Sequence, residues 1–365
     1  PDILVFSSAV QPDNPEMQAA AAKGIRCIRR GDYLAELAQW FPRRVAIAGS
    51  HGKTTTTAML SHILLTAGWQ PGYLVGGEVN GRGLPASAGN GEILVTEVDE
   101  SDGTQAAMHS THGVVLNAED DHCWSLGGEE RLKQIFRDFA AKADYLVTVE
   151  SPETRALFAS HPQVEFITPA MIRQDLQLLV PGQHNRSNAT VAVRVAIKLG
   201  LPEAEALAAI ASFTGVDRRL TLRHDGPTVK VVEDYAHHPS ELRASLAALR
   251  EAHPGRRLRV LFQPHRYERV ARYASEFASE LSQADEVVVT APFGAWLNDS
   301  HLASAQVIVD QIRGIPARYT EEAWEDLAHW AAAQSAPGDL WVIMGAGSIT
   351  KVTPVLVGDL RARSS

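Results

Sequence analysis

The sequence predicts an α/β protein built on doubly wound, mostly parallel sheets, and three observations carry that prediction. Strand-length apolar runs alternate with stretches of 3.6-residue period along the chain. A strand, Gly-rich loop and helix stand in succession over 44–67, and the same alternation restarts after residue 215. At 365 residues the chain exceeds one ordinary domain. Its 45% hydrophobic and 21% charged residues exclude global disorder.

The elements follow in order. Residues 3–6 and 26–28 read as strands and 14–23 and 33–40 as helices, an α/β piece of about forty residues that is too small to stand alone. The apolar run 44–48 leads into Gly49-Ser-His-Gly-Lys-Thr-Thr-Thr-Thr57, after which 58–67 has helical period. Strands at 72–75, 93–97, 113–117 and 145–149 alternate with helical stretches such as 129–142. The polar run 181–188 precedes an Ala/Val-rich helix, and a second helix covers 203–212. Beyond a boundary near Gly215, strands at 229–234, 257–262, 286–290 and 340–344 alternate with helices at 239–252, 270–284, 304–313 and 324–333. No internal repeat, low-complexity tract or long linker interrupts this pattern.

Charge and composition narrow the chemistry. With 34 basic and 43 acidic residues the net charge is −9, which gives no general attraction for nucleic acid or an anionic membrane. Phosphate binding must therefore be local. No apolar run approaches the ~18 residues of a membrane span, so membrane insertion is not expected. Two cysteines, Cys27 and Cys123, make no disulfide framework, and a cytoplasmic location is the simplest expectation.

Gly49-Ser50-His51-Gly52-Lys53-Thr54 resembles a phosphate-binding loop. Loop amides and the helix N-terminus can face phosphates, Lys53 can neutralise their charge, and Thr54 can hold Mg2+. The first glycine of the full pattern is replaced by Ile47, so a Gly-rich turn capping an ordinary helix is the alternative. Glu97, at the end of its strand, opens a run of four acids to Asp102 that reads as a metal ligand or as a solvated turn. The cluster Asn117-Ala-Glu-Asp-Asp-His122 reads as hard oxygen ligands with an imidazole, or as an acidic helix cap. Asp234-Tyr-Ala-His237-His238-Pro239 exceeds what capping requires. Arg266 and Arg269, three residues apart, suit a carboxylate or phosphate clamp, or a salt-bridged helix start.

Taken together and in order, these segments, with Gly182-Gln-His184-Asn185, Asn188 and Arg218-Arg219, resemble the Mur ligases of peptidoglycan synthesis over essentially the whole chain. The resemblance implies three parts: the tail of an N-terminal Rossmann-like UDP-binding domain (1–42), a central P-loop ATPase domain (43–215) and a C-terminal Rossmann-like α/β domain that binds the amino acid (216–365). It implies an ATP-dependent, ADP-forming ligase working through an acyl phosphate. The Asp-Glu-Ser-Asp and Gln-Pro-His-Arg segments point to UDP-N-acetylmuramate and L-alanine as substrates. By the family pattern Gly49, Ser50, His51, Gly52, Lys53, Thr54 and Thr55 hold phosphates. Thr54, Glu97 and His122 hold Mg2+, while His184, Asn185 and Asn188 meet adenine and ribose. Arg219 reaches phosphates, Asp234 the nucleotide sugar, and His237, His238, His265, Arg266 and Arg269 the substrate side. Closure of two domains before chemistry is implied as well. Alternatives are a family member with another acceptor, or a P-loop ATPase without ligase activity. The departures are the short N-terminal part, a short 151–180 stretch, Ser50 in place of the family's Thr, and Trp124.

Overall fold

A computed structural model describes residues 1–81, 83–119, 126–294 and 304–364. Near the start, β1 (Ile3–Phe6) and β2 (Arg26–Arg29) pair in parallel, joined by α1 (Pro15–Ala22). Asn14 caps α1 by accepting from the Glu16 and Met17 amides, with proline at the first helical position. The helix α2 (Arg30–Ala38) follows β2 directly.

The apolar run before the Gly-rich loop becomes β3 (Arg43–Ala48), whose Val45, Ala46, Ile47 and Ala48 are fully buried. It lies at the centre of a seven-stranded sheet with α3 (Lys53–Thr66), β4 (Gly72–Leu74), β5 (Ala86–Ser87), β6 (Ile93–Glu97), β7 (Ser110–Val115), α4 (Glu129–Ala141), β8 (Ala143–Val149), α5 (Pro152–Phe158) and β9 (Val164–Ile167). The strand order is β5-β4-β6-β3-β7-β8-β9, with only β5 antiparallel. The chain leaves β3 toward one edge and later crosses to β7 on its other side. The ends of β3, β6 and β7 therefore meet at a topological switch point, where ligands bind in open α/β sheets. Phe136, Phe139 and Leu132 of α4 pack with Ala46, Ala48 and Leu94 under this sheet.

The polar run expected to precede a helix is itself helical. The helix α6 spans Gln183–Lys198, and α7 (Glu203–Ile210) follows. A second sheet begins with β10 (Thr221–Asp225), antiparallel to β11 (Lys230–Asp234). After them come α8 (Pro239–Ala252), β12 (Arg257–Phe262), α9 (Tyr267–Leu281), β13 (Glu286–Thr290), α10 (Gln306–Val309), β14 (Ala317–Thr320), α11 (Trp324–Gln334), β15 (Asp339–Met344) and α12 (Val352–Ser364). The order β10-β11-β15-β12-β13-β14 is parallel apart from β10. Helices cover both faces: α8 and α9 through Leu246 and Phe277, α11 and α12 through Leu327 and Leu356.

Contacts divide the chain into two compact units, one of 1–179 and 184–216 and the other of 180–183 and 217–365. Among the described residues no helix is long and apolar enough to cross a membrane.

Candidate active site

In the first unit the loop between β3 and α3 turns on Gly49 (φ +141°) and Gly52 (φ +85°), backbone conformations that an L side chain rarely adopts. Gly52 also admits Asn188, whose Oδ1 lies 2.9 Å from where a Cβ would stand. Asn117, just past β7, clamps the loop: its Oδ1 accepts from the His51 amide at 2.9 Å and its Nδ2 donates to the His51 carbonyl at 3.1 Å. The Ser50 hydroxyl donates to the Glu119 carbonyl at 2.8 Å, and the His51 ring stands 3.5 Å from the Glu119 carboxylate. Thr55 lies half-buried on the first turn of α3.

Lys53 opens α3. Its ammonium donates to the Gly49 carbonyl at 2.5 Å and to Glu100 Oε2 at 2.6 Å. Burial works against that charge, but the Glu100 and Asp99 carboxylates outweigh it and raise the Lys53 pKa, so the ammonium stays charged. Burial pushes the Glu100 carboxyl up to about 7, against the pull of Lys53. One residue on, the Thr54 hydroxyl donates to Glu97 Oε2 at 2.8 Å. Register places Glu97 beside Ile47, so the strand itself delivers the carboxylate to the loop. Gly76, after β4, leaves room for the pair. A Cβ there would stand 1.9 Å from Glu97 Oε1 and 3.4 Å from Thr54 Oγ1. A hydroxyl and a carboxylate converging in a cradle that a methyl group would fill suit a hard divalent cation such as Mg2+. His122 lies outside the described residues, as do Cys123 and Trp124. His184, Asn185 and Asn188 share the first turns of α6, with Asn185 and Asn188 buried.

In the second unit the Asp234 carboxylate accepts from the Ala236 amide at 2.7 Å, the Ser245 hydroxyl at 3.0 Å and the Leu220 amide at 3.2 Å. Burial nevertheless pushes its pKa up to about 6, against the charge of Arg219 and the bonds from Ala236 and Ser245. These bonds fasten a turn in which Arg218 (φ +57°) and Leu220 (φ +51°) adopt left-handed conformations uncommon for such residues. The Arg218 and Arg219 guanidinium groups stand over the Tyr235 ring at 4.8 and 4.7 Å.

Glu241 accepts from the His237 and His238 amides and so completes the N-terminal cap of α8. The His238 ring meets Ser240 Oγ at 2.7 Å and the edge of Tyr273. His237 stands edge-on to His265 at 5.5 Å, and His265 stacks on Phe293 at 5.7 Å. Arg266 precedes α9 with φ +69° and donates its amide to the Phe293 carbonyl. Arg269 is 1% exposed and donates to the His265 carbonyl at 3.2 Å. The second unit thus gathers His237, His238, His265, Arg266 and Arg269 at the C-terminal ends of β11, β12 and β13.

Asn117, Gly76 and Glu100 were not among the sequence-derived site residues. Asn117 and Glu100 do lie in acidic clusters noted from sequence, while Gly76 has only a glycine pair after a strand as its signal.

Comparison with known proteins matches three successive profiles: the Mur ligase family catalytic domain to residues 1–42, the Mur ligase middle domain to 47–168, and the Mur ligase glutamate ligase domain to 218–347. The chain is similar, at 35% identity over 403 residues, to the UDP-N-acetylmuramate–L-alanine ligase of Agrobacterium fabrum, covering 100% of this chain and 85% of that one. The ligase of the same name from Anaeromyxobacter is 36% identical, covering 99% of this chain and 85% of its own. Among solved structures, the UDP-N-acetylmuramate-alanine ligase of Thermotoga maritima superposes with a TM-score of 0.84 at 29% identity, covering 100% of this chain and 86% of that one.

Proposed function

The chain belongs to the Mur ligase family, and from that premise we propose that it joins L-alanine to the lactyl carboxylate of UDP-N-acetylmuramate, using ATP and releasing ADP and phosphate. The observation that supports the reaction class is the Thr54–Glu97 pair at 2.8 Å beside Lys53. The acceptor follows from likeness along the whole chain to ligases named for L-alanine.

A free carboxylate repels an amine nucleophile and carries no adequate leaving group. In the proposed reaction a carboxylate oxygen attacks the γ-phosphorus, ADP leaves, and an acyl phosphate forms. The amino group of L-alanine then attacks the carbonyl carbon to give a tetrahedral intermediate. Phosphate departs, the nitrogen loses its proton and the amide remains. Loop amides from Gly49 to Thr55 and the Lys53 ammonium would bind the β- and γ-phosphates and stabilise charge on the transferring group. Thr54 and Glu97 would hold Mg2+, with His122 as a further ligand. The cation, when bound, offsets repulsion between the phosphate and the carboxylate. Asn185 and Asn188, with His184, would orient the nucleoside, and Arg219 would meet phosphate oxygens. Asp234 would contribute to the nucleotide sugar while fastening the turn that carries Arg219. Arg266 would face the carboxylate of the amino acid, and Arg269 would act by holding His265, with His237 and His238 completing that wall. The three-part division at 42/43 and 215/216, and a cytoplasmic location, belong to the same proposal.

The test is phosphate release with ATP, UDP-N-acetylmuramate and a panel of amino acids. Release is expected only when both co-substrates are present and to be fastest with L-alanine. Release that persists without either co-substrate contradicts the ligase reading in favour of a simple ATPase.

A further inference from the structure

Glu100 plays no part in the chemistry described so far, yet it is 1% exposed and ends 2.6 Å from the Lys53 ammonium. An ammonium has three hydrogens to give. In this structure two go to short partners, the Gly49 carbonyl at 2.5 Å and Glu100 at 2.6 Å. The third points to the Ser50 carbonyl at 3.4 Å, beyond the range of a good hydrogen bond. Two strong bonds fix the nitrogen, and the third hydrogen is the one a phosphate oxygen can take.

Glu100 is itself held by a turn with little freedom. The Glu100 carbonyl accepts from the Gly103 amide at 3.0 Å, and Asp99 and Asp102 accept from the Ser101 and Thr104 amides. Gly103 (φ +74°) lies against Ile135 of α4. Thr104 lies against Gly31 of α2 so tightly that a Cβ on Gly31 would stand 1.9 Å from the Thr104 hydroxyl. Arg30 and Asp99 face each other at 3.8 Å. The turn is thus wedged between two helices, and its one fully buried carboxylate points at Lys53.

We propose that Glu100 is a positioning residue for phosphoryl transfer: it fixes the Lys53 ammonium between its own carboxylate and the Gly49 carbonyl, so that one hydrogen remains for the transferring phosphate. The proposal rests on the P-loop being the ATP site. Glu100 also brings a negative charge close to a polyphosphate, so it disfavours the bound ground state while setting the geometry that counts in the transition state. Its removal should therefore separate binding from rate.

The experiment is Glu100→Gln in the full chain, read by steady-state kinetics and by ADP calorimetry. In this variant kcat is expected to fall by about 10- to 100-fold, the scale of a misplacement near 1 Å, while the Kd for ADP stays equal to or below that of the unsubstituted protein. An unchanged kcat overturns the proposal. So does ADP affinity that weakens in proportion to kcat, the mark of a merely structural role. If the Gln variant does not fold, Gly31→Ala moves the same turn through Thr104; the same split is expected, and unchanged kinetics overturns the proposal. Absence of ADP binding by the unsubstituted protein instead contradicts the reading of the loop as an ATP site.

Discussion

Asp234 shows what a single buried carboxylate can contribute. Three donors converge on it, yet burial raises its pKa from 3.8 to about 6, which corresponds to about 3 kcal/mol between its protonation states. An acid whose folded pKa is raised binds protons more strongly in the native state than in the unfolded chain. Its contribution is fully present below pH 3.8 and is lost as pH rises through about 6. Urea unfolding at pH 4.5 and 7 should therefore show the unsubstituted protein losing about 2 kcal/mol more stability over that interval than Asp234→Asn, in which the titration is gone. Equal pH dependence in the two proteins contradicts this assignment. The same residue secures the left-handed turn at Arg218 and Leu220 on which Arg219 sits, and in the proposed reaction it would thereby hold Arg219 in place.

At the scale of elements, the ends of β3, β6 and β7 frame the first candidate site, and Gly76, just past the neighbouring β4, makes room for it. Gly76 is exposed, so a methyl group there costs little packing, but its Cβ would stand 1.9 Å from Glu97 Oε1. Gly76→Ala should raise the Mg2+ concentration for half-maximal activity by about 10- to 100-fold, as loss of support around a metal ligand does, with little change in unfolding midpoint. A Mg2+ activation curve that does not move contradicts Glu97 as a ligand.

These elements were unequally legible in the sequence. The central strands were readable because both faces of a parallel sheet are covered, which forces continuous apolar runs such as 45–48. The edge strands β5, β9, β10 and β14 are short and partly exposed, so no apolar run marks them. The start of α6 was hidden for the opposite reason: Asn185 and Asn188 are polar yet buried, which breaks the apolar period. Lys53, Thr54 and Glu97, which the structure brings together, stand out in the sequence because a contiguous loop and a strand end mark them. Asn117, Gly76 and Glu100 depend on which strand ends lie side by side, and no spacing within one segment encodes that.

Across the whole molecule, each unit gathers its candidate site residues at the C-terminal ends of parallel strands, the place where α/β sheets leave backbone and side chains open to ligands. For a chain of net charge −9, the proposed reading assigns the local positive charge that meets anionic substrates to Lys53, loop amides and a few arginines. The central claim is that ATP activates the muramoyl carboxylate as an acyl phosphate, and the path of a carboxylate oxygen tests it most directly. With both carboxylate oxygens of UDP-N-acetylmuramate carrying 18O, the oxygen that attacks phosphorus stays with it when the amine displaces phosphate. Mass spectrometry of the released phosphate should find one 18O atom per phosphate, with the other retained in the amide. Unlabelled phosphate released alongside the amide product would contradict the acyl-phosphate account.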